Sequence, residues 1–336
     1  MKRRAGLALP LALLLPPARA RSLRVRRGQS LADAVAQAAD GDVIELDPGD
    51  HHAQTAVITQ RRLVVRAAKG RAVLHADGAH AEGKAMFVVR GGQVTIEGLE
   101  FRGSRVPAGN GAGIRFERGA LTLRRCGFFD NEMGLLSSGD AGSTLAIEDC
   151  AFGAAPPWYT GQLHHLLYVG RIARLRVAHS RFSGGWRGHL LKSRAALSHI
   201  VCNRLVDGDD GEASYQIDLP NGGLACVQGN VIAQGARAQN LALVAYGAEA
   251  EPHPQSRLLL RGNHLLNDAE QPASFVRWWP ERLPENSEPV IEDNLFVGEA
   301  AAGSWGRPED GNRLLPASER EQALAPPPCL PDCRWA

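Results

Sequence analysis

Three side chains of different chemistry stand at almost one distance from a recurring landmark. Tyr168 precedes Ser180, Lys192 precedes Asn203 and Asp218 precedes Asn230, each by eleven or twelve positions. If each landmark marks the same point of a repeating fold, the phenol, the ammonium and the carboxylate form one vertical row, with Arg194 and Gln216 beside it. Such a set suits proton abstraction next to a carboxylate. Lys192 and Arg194 would neutralise the carboxylate and acidify the neighbouring C–H, and a Lys, Tyr or His would take the proton. The competing reading is a charged ladder in which Lys192 and Asp218 simply pair on a solvent-facing surface.

Other residues can be placed around this row. His165 and His189 share one register, a single repeat apart, and Tyr215 joins it three positions before Asp218. Alternation puts them with the inward set at a corner, which favours structural histidines and leaves His189, beside the bend at Gly188, as a second candidate acid or base. Tyr246 and Arg277 are expected to continue the row two coils on, at a longer offset of 17. Two insertions, 154–162 with Trp158 and Tyr159, and 249–255, are expected to rise as walls that stack and orient a sugar. Glu249 or Asp210 could bring a second carboxylate to Asp218 from a loop, as glycoside hydrolysis requires. The loop with Asp207, Asp209, Asp210 and Glu212 offers hard oxygen ligands for Ca²⁺, although without EF-hand spacing, and a solvated acidic turn is the alternative. Nothing else in the sequence calls for a cofactor.

What must position these groups is a repeat. An eight-residue phrase recurs as VTIEGLEF from Val94, LTLRRCGF from Leu121, LAIEDCAF from Leu145 and LRVAHSRF from Leu175, then as SHIVCNRL, ACVQGNVI, LLLRGNHL and PVIEDNLF. Its first and third positions are mostly apolar, as in a strand with alternate side chains inward. Its sixth position reads Leu99, Cys126, Cys150, Ser180, Asn203, Asn230, Asn263 and Asn294, at intervals that vary but stay short. A unit of that length cannot bury its own apolar face, so stacked coils of a parallel solenoid are expected, with the asparagines forming an internal ladder. By the same alternation Leu167, Leu191 and Ile217 face inward, and Tyr168, Lys192, Asp218, Arg194 and Gln216 face out.

The N-terminal side supplies a cap: Ser30 is an N-cap residue before the helical spacing of 31–39. The stretch SLADAVAQAADGDVIELDPGDHH closely resembles the N-terminal cap and first coil of right-handed parallel β-helix proteins of the pectin-lyase-like superfamily. The phrase ladder extends that resemblance over nearly all of residues 22–315, and GHLLKSRA through SYQIDLPNGG resembles bacterial members whose likeness carries no reaction. The resemblance implies an all-β, single-stranded right-handed parallel β-helix with an N-terminal capping helix. For function it implies only a range: polysaccharide lyases, glycoside hydrolases, epimerases and noncatalytic surface proteins share the fold. The row of Tyr168, Lys192 and Arg194 favours a lyase acting on a uronate-containing polysaccharide, with Asp218, Tyr215, Gln216, Tyr246, Trp158 and Arg277 as binding residues. Hydrolysis, uronate epimerisation and noncatalytic glycan binding are the alternatives.

The 336 residues include 37 Gly and 20 Pro, which suits many short elements and disfavours helical bundles. Residues 1–20 read as a signal peptide: Lys2, Arg3 and Arg4 precede an apolar run from Gly6 to Leu15 that is too short to span a bilayer, and Ala18-Arg19-Ala20 is a cleavage site. A periplasmic or secreted protein without stable membrane insertion is expected. Removing these residues takes four cations and no acid, moving the formal charge from +2 to −2, which argues against nucleic acid as a partner. In the Pro-rich tail, 316–336, Cys329 and Cys333 are close enough to bridge, whereas Cys126 and Cys150 read as buried rungs, a bridge between them being the alternative.

Overall fold

The computed structural model describes residues 20–329 and 333; of the expected signal peptide only Ala20 is among them. Three parallel sheets of 11, 11 and 9 strands wrap about nine turns of a β-solenoid. The recurring phrase builds the first two sheets and the corner between them. In the first sheet Val94 and Ile96 stack under Leu121 and Leu123, then under Leu145 and Ile147, then under Leu175 and Val177, all fully buried. The fifth residue of most phrases is left-handed, including Arg125, Asp149, His179, Cys202 and Asp293 with φ between 50 and 58°. One such residue reverses the alternation, so the sixth side chain turns into the solenoid and the eighth lines the second sheet.

Both consequences are visible. The Asn203 amide N–H donates to Asn230 Oδ1 at 2.8 Å, Asn230 to Asn263 at 3.0 Å and Asn263 to Asn294 at 2.9 Å. The ladder runs further than the phrase suggested. Asn294 N–H donates to Asn312 Oδ1, and on the other side Ser180 N–H donates to Asn203 Oδ1, Cys150 N–H to Ser180 Oγ and Cys126 N–H to Cys150 Sγ. At the eighth position Phe101, Phe128, Phe152 and Phe182 stack with centroids 5.1, 4.6 and 4.7 Å apart. Cys126 and Cys150 are buried free thiols.

A helix, α1 (Leu31–Gln37), precedes the first full coil; Ser30 Oγ accepts from Asp33 N–H, and Leu31 and Val35 join the core. The last strand is Arg313–Leu315. Beyond it α2 (Arg320–Leu324) lays Ala323 against Val231, Ala233, Leu266 and Val297 on the outside of the second sheet, and Arg320 pairs with Asp268.

The tail also corrects the expected Cys329–Cys333 bridge. Cys329 is joined to Cys202, and Cys333 to Cys226. Cys202 occupies the left-handed corner position and Cys226 an outward position of its strand, so both sulfurs meet the tail as it returns along the coils.

Candidate functional site

In the third sheet, Leu167, Leu191, Ile217, Val244 and Val276 form the inward column, and Tyr168, Lys192, Asp218, Ala245 and Arg277 form the outward one. The expected row of phenol, ammonium and carboxylate is therefore real, and Arg277 stands at its far end with its guanidinium over Trp279. Tyr246 is not in it. Ala245 takes that register, so Tyr246 points into the core, fully buried, and its hydroxyl donates to Gly223 O. Gln216 is also misplaced by the sequence reading. It aligns with Leu190 and Leu243 and is wholly buried, its amide without a protein partner.

The outward column does not face open solvent. Lys192 is 6% exposed and Asp218 2%. Lys192 Nζ lies 2.8 Å from Asp218 Oδ2 and 2.8 Å from Glu249 Oε1, so two carboxylates share one ammonium. Arg194 binds on all three nitrogens: Nε donates to the Tyr168 hydroxyl at 2.9 Å, and the terminal nitrogens donate to Asn221 Oδ1 at 2.7 Å and Glu249 Oε2 at 2.6 Å. Burial opposes the charge on each of these groups, but the pairing outweighs it. Lys192 and Arg194 are held above their ordinary pKa, and Asp218 and Glu249 below theirs.

The histidine row stands beside this cluster. His165 and His189 are tilted against each other with ring centroids 4.8 Å apart, and His189 stacks on Tyr215 at 5.0 Å. His189 Nδ1 accepts the Tyr215 N–H, so the ring proton sits on Nε2, which faces Asp218 Oδ2 at 3.2 Å. His165 Nδ1 likewise accepts the His189 N–H, and burial holds this ring well below the usual histidine range. His189 is thus an integral part of the cluster that orients Asp218. Burial and the Asp218 charge push the Tyr215 phenol up.

Trp158 is 46% exposed with Arg105 over its ring, and its loop is fixed by Pro156 O and Thr160 Oγ1 to His164. The 249–255 loop is tied through its backbone: Glu249 N–H donates to Pro220 O, Asn221 Nδ2 to Ala250 O and His253 N–H to Asn221 O. Glu249 was anticipated as a second acid approaching from a loop, but its place between Lys192 and Arg194 was not. Asn221 gave no signal.

The acidic loop does not gather its oxygens. Asp207 turns inward, accepts the Gly185 and Ala213 N–H groups and is pushed by burial up to about 6. Asp210 pairs with Arg237 instead. Among the described residues the one cluster with metal-ligand spacing is His179, Cys202 and Cys329, whose two sulfurs are bonded to each other.

Among solved structures the chain is similar to the crystal structure of pectate lyase Pel9A, with a TM-score of 0.59 and 13% identity over 87% of this chain and 79% of that one. The fold is a pectin-lyase-like β-helix. At that identity the likeness shows the fold and not the reaction. No protein-family model and no curated protein matches the sequence. Among the described residues, no helix is long and apolar enough to cross a membrane.

Proposed function

We propose that this chain is an exported carbohydrate-active protein that cleaves an acidic, uronate-containing polysaccharide by β-elimination. One observation carries the reading: Arg194 holds a carboxylate, that of Glu249, beside the hydroxyl of Tyr168, with Lys192 on the carboxylate's other oxygen. A uronate carboxylate in that position would be neutralised by two cations, which acidifies the proton on C5. Loss of that proton and of the C4–O bond forms the C4–C5 double bond, and the leaving oxygen takes up a proton. Lys192 stays an ammonium between two carboxylates, so it serves as charge neutraliser and not as base. Tyr168, whose oxygen accepts from Arg194, is the group placed to exchange a proton beside the carboxylate. The fold shared with a pectate lyase supports a polysaccharide substrate, and two disulfides support an oxidising compartment.

Retaining hydrolysis is the second reading, favoured by Asp218 and Glu249 on one ammonium: each has an oxygen 2.8 Å from Lys192 Nζ, so those two oxygens are at most twice that distance apart, an upper bound that admits the carboxyl separation of about 5–5.5 Å that retaining enzymes use. Against it, both carboxylates are held ionised, which leaves neither as the proton donor. The test is incubation with a panel of uronate polymers, following absorbance of unsaturated ends and total reducing ends together. β-Elimination yields both in equal number. Reducing ends without unsaturation indicate hydrolysis, inverted residues without cleavage indicate epimerisation, and no product on any polymer overturns the enzymatic reading.

A further inference from the structure

Counting charges around Lys192 shows that the site is already neutral. Two cations, Lys192 and Arg194, face two carboxylates, Asp218 and Glu249. The carboxylates are not equivalent. Asp218 lies beneath the surface on a strand, its side chain 3% exposed and held by Lys192 and His189. Glu249 reaches in from a loop, and its side chain remains 43% exposed. The loop backbone is fixed independently of that side chain, by Glu249 N–H to Pro220 O at 2.9 Å, Asn221 Nδ2 to Ala250 O at 2.7 Å and Arg171 to Glu251 O at 2.7 Å. Rotation of the Glu249 side chain alone therefore releases its contacts with Lys192 and Arg194, which keep Asp218, Tyr168 and Asn221 as partners, without dismantling the loop.

We infer that Glu249 is a built-in competitor for the carboxylate subsite, an affinity-limiting residue that occupies the Lys192 and Arg194 cradle until a carboxylated ligand displaces it. This rests on the acidic-substrate reading above and adds what fills the subsite before the ligand arrives. With Glu249 in place the cluster carries no net charge and offers a neutral sugar no unpaired cation. With Glu249 turned out, the cluster carries one positive charge, matched by one uronate carboxylate. A monocarboxylate can reproduce both contacts Glu249 makes, an ammonium on one oxygen and a guanidinium nitrogen on the other, and a neutral hydroxyl cannot. The competitor costs affinity by keeping the binding-competent fraction small, and that cost falls on every carboxylated ligand alike.

The experiment measures binding of galacturonate, guluronate and glucuronate oligomers, and of their methyl esters, to the wild-type protein, Glu249→Gln and Glu249→Ala, by calorimetry at two salt concentrations. Both substitutions are expected to tighten at least one acid oligomer by about tenfold or more, to leave its ester unchanged, and to steepen the salt dependence. Unchanged or weaker binding of every acid oligomer in both variants overturns the inference, as does equal tightening of the esters. Thermal unfolding of each variant establishes that the fold is retained. Turnover separates this inference from the proposed reaction. If Glu249→Ala binds no tighter yet still makes unsaturated ends, the competitor is refuted and the lyase stands. If it binds tighter and no polymer is cleaved by any form, the competitor stands and the lyase falls. Loss of turnover with no gain in affinity would mean that Glu249 acts on the substrate itself.

Discussion

Lys192 shows how a residue's chemistry depends on what lies above it. Alternation in the strand tells that it points away from the solenoid axis, and that much was legible, since Leu191 and Ile217 are the inward neighbours. Its burial was not legible, because the cover comes from a loop 57 residues on. An outward lysine in water would contribute little to stability; this one neutralises a buried carboxylate. Lys192→Met is therefore expected to cost about 3 kcal/mol in urea unfolding at neutral pH, because it leaves Asp218 buried without its cation. The pH dependence has a definite sign. In the native protein Asp218 is held below the ordinary carboxylate range, so its contribution is present above its unfolded pKa and is lost as pH falls through the folded one. Without Lys192, burial is opposed by His189, so the Asp218 carboxyl keeps its proton to higher pH than in the wild type, and the deficit of the variant should shrink as pH is lowered toward about 4. A double variant, Lys192→Met with Asp218→Leu, should recover most of the loss. A deficit that is constant with pH would show that lost packing, and not the ion pair, is responsible.

At the scale of the element, the phrase specified its own corner. Two apolar positions set the strand, one left-handed residue turns the chain, and the following side chain enters the ladder. Where the spacing between phrases is regular, the register of the third sheet could be read from the first, which is why Tyr168, Lys192 and Asp218 align. From Asn230 to Asn263 and on to Asn294 the intervals lengthen, and a slip of one position inverts a side chain from face to face; Tyr246 was lost to that slip and Arg277 was not. The ladder itself predicts a large, local cost. Asn230 is fully buried, accepts from Asn203 N–H and donates to Ile200 O and Asn263 Oδ1. Asn230→Leu strands these partners in the core and should lower stability by about 2–4 kcal/mol, whereas Thr122→Leu on the outer face of the first sheet should change it by less than about 0.5. Similar unfolding midpoints for the two variants would show that the amides add no more than their shape.

For the whole molecule, the missing piece of the sequence reading was long-range covalent closure. Cys329 and Cys333 sit close together in the chain, which made a local bridge the natural expectation, yet each is tied to a different coil across 127 and 107 residues of chain. The alternative partners were hidden because Cys202 and Cys226 also satisfy the repeat, one as a corner residue and one as a strand residue. The consequence reaches beyond the tail. Ala323 and Leu324 cover the apolar outside of the second sheet formed by Val206, Val231, Leu266 and Val297, and Arg204 and His264 hold the carbonyls of Leu324 and Ala323. Losing both bridges should release that cover. Cys329→Ser with Cys333→Ser is expected to lower stability by several kcal/mol, on the order of 2–5 for each closed loop, and to bring tryptic cleavage at Arg320 while Arg204, within the coils, stays protected. The wild-type protein collected from outside the cytoplasm should weigh less than its reduced form by two hydrogens per bridge and should begin at Arg21, whose main-chain nitrogen lies 2.9 Å from Asp42 Oδ1. Reduced thiols together with an intact Met1 would place folding in a reducing compartment, and the tail would then have to hold the second sheet by packing alone.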